Sequence, residues 1–256
     1  MLEISSFFDA HFHFLKCFPY ENPGKELETL GNYWGCTCAH SVEEWYDQKR
    51  ALESLASDNI HILKAFGMHP QKPLVENAEI LEELLKNNEL DAIGEAGIDL
   101  YADEYKAMLE AQKEAWHIQV ELAEKYQKPL IIHCRKGMQH VFEEINSLAR
   151  IPSILFHSFS GSMEEAHAVL YRLPEAYFSF GKQLMNGNKK VHACMTELPL
   201  KNIILETDAP YQRLKDEAYT SCKEIRRVYE EAFKVREDLT EDILKENFFS
   251  LYKISR

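Results

Sequence analysis

Six residues able to hold a metal ion recur at one kind of position in this sequence of 256 residues. His11 and His13 follow SSFFDA, Glu95 follows DAIG, His133 follows PLII, His157 follows SILF, and Asp208 lies in IILETD. Each preceding run is short and apolar and reads as a strand, which puts these residues at strand C-terminal ends. His11 and His13 are two apart, so on an extended chain both imidazoles leave from the same side and reach one ion. Four imidazoles and two carboxylates make a mixed nitrogen and oxygen set suited to Zn, Mn, Fe or Ni. Such a set can hold two divalent ions bridged by a carboxylate and a water. A single histidine or aspartate of this kind is more often a polar residue satisfied locally. Gathered without a cation, the six would repel or stay desolvated at a cost of several kcal/mol, which favours metal binding.

The elements that must bring them together are legible as eight apolar runs at 4–12, 33–38, 60–67, 90–94, 129–132, 153–156, 176–180 and 202–205. Each leads into a longer stretch with helical spacing, the signature of βα units and a parallel sheet. The stretch SVEEWYDQKRALESLA opens with a capping box at Ser41 and Glu44, and DEYKAMLEAQKEAWHIQVELAEKYQ predicts one long helix. Segment 215–236 reads as a further polar helical region. Eight strands and about 250 residues predict an α/β fold, a (β/α)8 TIM barrel whose strand ends converge on one face. With no repeat, linker or block of like charge, residues 1–256 are expected to form a single domain.

Composition narrows the function. A 45% hydrophobic content with 10 Gly and 9 Pro excludes disordered and collagen-like chains. The formal net charge of −13 excludes a general electrostatic funnel for nucleic acid or anionic membranes. The acidic start MLEISSFF and the lack of any long apolar stretch predict a soluble, cytoplasmic protein with no membrane association. Cys17, Cys36, Cys38, Cys134, Cys194 and Cys222 lack metal or disulfide spacing and are expected as reduced thiols, Cys36 and Cys38 as packing residues. No obligate protein partner is readable.

Other residues carry weaker signals. His69, in GMHP, is placed to touch a leaving group or phosphate, or to stack as a loop histidine on Pro70. Arg135, two residues beyond His133, can fork onto a phosphate. Asp99 either holds a loop or orients a ligand histidine. His40 is most simply a polar loop residue. His61, His117, His140, His167 and His192 are expected to be solvated or locally satisfied. The GSMEE segment at Gly161 offers an anion site at a helix start, or only the start.

Taken in order, DAHFHF, GMHP, GEAGIDL, PLIIHCRKG, FHSFSGS and LETDAPY resemble the successive motifs of the TatD family of metal-dependent hydrolases, with weaker agreement at KENFFSLY. The resemblance covers nearly the whole chain and implies an amidohydrolase-like barrel with one or two divalent ions, Mg, Mn or Zn. It implies that His11, His13 and Asp208 hold one ion and His133 and His157 the second, with Glu95 bridging. Asp208 would be general base or ligand alone, and Glu95, Arg135 and His69 the other catalytic candidates. The implied reaction is hydrolysis of an ester bond, foremost a phosphodiester, as in a deoxyribonuclease. The competing reading is an amidase or lactonase on the same centre, against which Glu95 stands where those relatives commonly carry a carbamylated lysine. The family's basic RGKRNEP-like segment after strand eight is replaced by QRLKDEAYTSCKEIRR, with acids at Asp216 and Glu217. Small phosphodiesters or short DNA or nucleic-acid ends are therefore the expected substrates, with weak binding to long strands. A local basic groove of Lys182, Lys189, Lys190, Arg213 and Arg226 would reverse that expectation.

Overall fold

Parallel strands that are neighbours in sequence need a crossover between them, and the chain supplies one each time. In the computed structural model, which describes residues 4–55 and 57–255, the strands are β1 Ser6–Phe12, β2 Asn32–Ala39, β3 Ile60–Phe66, β4 Ala92–Asp99, β5 Leu130–Arg135, β6 Ile154–Phe156, β7 Ala176–Phe180 and β8 Ile203–Leu205. They pair in parallel in that order. Helices Val42–Glu53, Ala78–Lys86, Leu109–Tyr126, Met163–Arg172 and Lys189–Glu197 cover the outside. The seam between β8 and β1 is closed by Asp208 N donating to His11 O (3.0 Å) and His13 N donating to Ala209 O (2.8 Å). Beneath them, buried Asp9 accepts from Thr207 N (2.9 Å) and Thr207 Oγ1 (2.6 Å). The result is a (β/α)8 barrel.

The barrel is filled in two layers. Inside it lie Phe8, Ala10, Cys36, Cys38, Ala65, Ala92, Ile131, Leu155, Tyr177 and Ile204, and Phe248, Leu251 and Tyr252 plug the N-terminal end. The Tyr252 hydroxyl donates to Ala10 O. Cys36 and Cys38 are packing residues, as expected, and all six thiols are free. A larger layer, including Phe7, Phe12, Ile93, Ala96 and Ile98, joins the strands to the helices. No helix among the described residues is long and apolar enough to cross a membrane.

Four expectations need correction. First, β4 runs to Asp99 and β5 to Arg135, so Glu95 and His133 lie within strands rather than at their ends. Gly97 permits this: at φ +141°, a Cβ there would stand 2.0 Å from His133 O, so only glycine lets the two strands pair this closely. Second, the helix expected over 103–127 is two, Asp103–Lys106 and Leu109–Tyr126, because the Tyr105 carbonyl accepts from Gln112 Nε2 (2.7 Å). Third, the box at Ser41 is half made. Ser41 accepts from Glu44 N, while Glu44 Oε2 takes His40 N instead of the cap's own amide. Fourth, most of 215–224 is irregular, with a short 3-10 turn before the helix Ile225–Val235. Met1–Glu3, at the acidic start, and Ala56, the last residue of the helix expected after Ser41, lie outside the described residues.

Replacing Gly97 by alanine should therefore force β4 from β5 and cost roughly 3 kcal/mol, at the high end for a single substitution. Urea unfolding of the variant against wild type measures it. A change near zero would mean that the strands are not held this close.

Candidate metal centre

A strand alternates its faces, and residues 8 and 10 of β1 point into the barrel. Strict alternation would then send Phe12 inward and His11 outward. A register shift between Asp9 and Phe12 reverses the parity, so Phe12 joins the outer layer and His11 and His13 face the mouth. The same device operates in β4, where the register shifts between Ile93 and Ala96. Ala92 points inward, Ala96 and Ile98 outward, and Glu95 is delivered to the interior. No shift is needed elsewhere. Ile131 leads to His133, Leu155 to His157 and Ile204 to Glu206 in steps of two, while Asp208 follows β8 in left-handed backbone at φ +49°.

Around Glu95 these side chains form two triangles of donor atoms. His11 Nε2 and His13 Nε2 are 3.2 Å apart and each is 3.3 Å from Glu95 Oε1. Asp208 Oδ1 stands 3.5 Å from His13 Nε2 and 3.8 Å from His11 Nε2. On the other side, His133 Nδ1 and His157 Nε2 are 3.1 Å apart and lie 3.3 and 2.6 Å from Glu95 Oε2. Ring nitrogens that close share at most one proton usefully. Edges of 3.1–3.8 Å suit donors bound at about 2.0–2.2 Å to one divalent ion, whereas the 2.6 Å contact of His157 Nε2 with Glu95 Oε2 is a hydrogen bond. The donor set thus fits a cation on each oxygen of Glu95. His40 Nε2 (3.2 Å from Oε1) and His69 Nε2 (3.5 Å from Oε2) complete a ring of six imidazoles.

The electrostatics follow from burying a carboxylate among imidazoles. Burial favours the neutral acid, but His157, His11 and His69 outweigh it and hold Glu95 well below the usual carboxylate range. Burial lowers His13 to about 4 and His69 to about 3, against the pull of Glu95, so both present lone pairs at neutral pH. Two imidazoles go the other way despite burial: Glu95 and Glu206 raise His157 well above its ordinary value, and Asp99 and Glu95 raise His133. Burial pushes Asp208 up to about 7, with His157 and His11 opposing.

An outer ring orients the donors. Asp99 Oδ2 lies 3.0 Å from His133 Nε2, which turns Nδ1 toward Glu95, so Asp99 is the orienting partner of that histidine. Asp99 also accepts from Gln71 Nε2 (2.8 Å). Cys38 Sγ sits 3.4 Å from His11 Nδ1, and burial and its neighbours push the thiol well above its usual range, so it stays protonated. Glu206 Oε1 is 3.8 Å from His157 Nδ1. Two buried glutamines on one face of the helix Leu109–Tyr126 clasp the strand ends behind the site. Gln119 Oε1 accepts from Met68 N (2.8 Å) and its amide donates to Met68 O (3.2 Å). Gln112 grips Asp99 N and O in the same manner (2.8 and 3.1 Å).

All six expected ligands converge here; His11 is fully buried, and the other five line a cleft of about 330 Å3 with His40, His69, Gln71, Arg135 and Tyr211. His69 keeps its loop tie as well, since Nδ1 accepts from Gln71 N (3.1 Å). His40 is not a plain loop residue: it faces Glu95, and parity from Cys36 and Cys38 would have found it. Glu206 was missed altogether; Ile204 predicts its face by the same rule. His61 stacks on Trp34, His117 and His140 pair with Glu144 and Glu143, and His192 meets Leu184 O, all away from the cleft. At Gly161 the helix start is closed by a full capping box between Ser162 and Glu165.

The fold and this donor set define a metal-dependent hydrolase of the barrel type. The sequence profile of the TatD related DNase family matches residues 8–253. The chain belongs to that family. An uncharacterized metal-dependent hydrolase, MJ1582, from Methanocaldococcus jannaschii is 27% identical over 218 residues, covering 80% of each chain. A 3'-5' ssDNA/RNA exonuclease TatD from Edwardsiella piscicida is 29% identical over 156 residues, 59% of this chain and 58% of that one. The crystal structure of YJJV, a TatD homolog from Escherichia coli, shares the fold with a TM-score of 0.81 at 23% identity, covering 99% of this chain and 100% of that one.

Two outcomes follow. Glu95→Gln should lose bound metal and all turnover while keeping the fold, because a neutral amide cannot bridge two cations; metal analysis and circular dichroism check it, and full metal content would remove the bridging role. Ion binding near pH 6 should release protons from His157, His133 and Asp208, so affinity rises with pH; the share from Asp208 fades as pH rises through about 7, while the share from the two raised imidazoles persists to higher pH. Calorimetry in buffers of unlike ionisation enthalpy reads the release, and none at low pH would contradict these protonation states.

Proposed function

We propose that the protein is a divalent-metal-dependent phosphodiesterase of deoxyribonuclease type, acting on short DNA or nucleic-acid ends. The observation that carries this reading is the division of donors between the two oxygens of Glu95, with Arg135 on the rim of the same cleft. Bound ions would supply Lewis acidity toward a phosphoryl oxygen and an acidified water. His11, His13 and Asp208 would hold one ion, His133 and His157 the other.

The chain's own groups divide the remaining work. Asp208, deprotonated once an ion is bound, would accept a proton from the attacking water at a carboxylate oxygen. Arg135 offers a forked pair of donors to a phosphate oxygen. His69, neutral and with Nδ1 occupied by Gln71 N, carries its proton on Nε2, 3.5 Å from Glu95 Oε2 in the cleft, and would donate it toward a leaving group. The name of the Edwardsiella relative, an ssDNA/RNA exonuclease, supports a nucleic-acid substrate. The amidase or lactonase reading has less behind it. The bridging position is a glutamate, and the buried Lys182 is engaged by Glu217 (2.6 Å) and Glu224 (3.1 Å).

A metal-loaded panel of bis(p-nitrophenyl) phosphate, single-stranded DNA, a lactone and a carboxamide tests the proposal. Phosphodiester turnover alone is expected, and hydrolysis confined to the lactone or carboxamide would overturn it. Arg135→Ala should lower phosphodiester kcat/KM by roughly ten- to a hundredfold, one charge-assisted contact, with metal content unchanged. Wild-type kinetics in that variant would make Arg135 a bystander.

A further inference from the structure

Lys182, a cation the mouth could have used, is neutralised between Glu217 and Glu224. A second cleft, of about 490 Å3, keeps its cations: it shares Arg135 with the metal cleft and is lined also by Tyr101, Lys136, Ser160, Glu165 and Lys190. Among the described residues, Arg135, Lys136 and Lys190 form no ion pair. Arg135 and Lys136 are held instead on the ring of Tyr101, at 4.3 and 5.0 Å from its centroid. An aromatic face fixes a cation without neutralising it, as a carboxylate would. The one acid on the wall, Glu165, accepts from Ser162 N (2.8 Å) in the capping box. In a protein of net charge −13, three cations without a salt bridge around one cavity, set against Glu165 on its wall and Glu164 acting on Lys190, leave a local excess of positive charge beside the metal centre.

Resting on the phosphodiesterase reading above, we propose that this second cleft is a phosphate subsite. It takes the phosphate one linkage from the scissile bond, with Lys136 and Lys190 as its contacts and Arg135 at the junction. The ligand chemistry is a phosphate anion, from either a second internal diester or a terminal monoester. The cleft itself supplies three cations, so the length it recognises is short.

The test compares wild type with Lys136→Glu/Lys190→Glu, and with the milder Lys136→Gln/Lys190→Gln, on four substrates. These are bis(p-nitrophenyl) phosphate, a dinucleoside monophosphate, the same dinucleotide with a terminal phosphate, and a trinucleotide. Wild type should favour the two-phosphate substrates by about tenfold or more in kcat/KM; both variants should lose most of that advantage yet hydrolyse bis(p-nitrophenyl) phosphate within about twofold of wild type. Preference for the terminal phosphate or for the trinucleotide identifies the source of the anion. Retention of the advantage in both variants, or an equal loss on every substrate, overturns the subsite. Binding of a labelled trinucleotide and of a longer strand to Asp208→Asn, with and without the lysine changes, reads the cleft independently of turnover. The salt slope should be no steeper than about −2 for both lengths, as expected for two or three neutralised phosphates. A steep, length-dependent slope, or binding indifferent to the lysines, overturns the proposal. If wild type hydrolyses no phosphodiester but binding depends on the lysines, the function fails and the subsite stands.

Discussion

A carboxylate sealed from water inside a protein must be answered by positive charge or proton donors, and Glu95, 2% exposed, is the group on which this barrel's mouth is organised. Six imidazole nitrogens face its two oxygens, three to each, and the outer ring of Asp99, Glu206 and Cys38 is arranged by what those imidazoles need. Without ions, protons on His157 and His133 supply the balancing charge; with ions, the same nitrogens give up those protons and coordinate. The site is one electrostatic unit in two charge states. That explains why histidines a few ångströms apart are held at such different protonation tendencies by the same carboxylate.

Much of this was legible in the sequence because it rests on strong local signals. The eight apolar runs located every strand to within five residues, and the ordered motifs picked out the six side chains that the fold brings together at the mouth. What could not be read was the reversal of parity in β1 and β4. A bulge leaves no mark in a hydrophobic pattern when the residues around it are all buried, as Phe7 to Phe12 are. His40 was undervalued for a related reason: its signal lay in the cysteines before it, which read as packing and nothing more. The break near Met108 depends on Gln112 finding a carbonyl four residues before the helix begins, a tertiary choice invisible to propensity.

Net charge does not say where each cation sits. Lys182, one of five cations of the alternative basic groove, instead anchors the acidic segment after β8 through Glu217 and Glu224. That segment in turn leans on the loop after β1, where Tyr219 stacks on Tyr20 at 4.7 Å and Cys222 N donates to Glu21 Oε1 (3.0 Å). The stretch that replaces the family's basic segment is thus tied to the loop after β1.

Gln112 and Gln119 lie two turns apart on one helix, and each holds both backbone groups of a residue at the end of a different strand. The strands that carry Met68 with His69 and Asp99 with its grip on His133 therefore share a single fastening. Local opening of proteins proceeds in cooperative units, and here the unit includes the helix, both strand ends and one half of the metal centre. Amide hydrogens of Met68 and Asp99 would exchange in step with those of the helix, although they belong to separate strands. Loss of order at the periphery and loss of coordination at the centre are, for this half of the barrel, the same event.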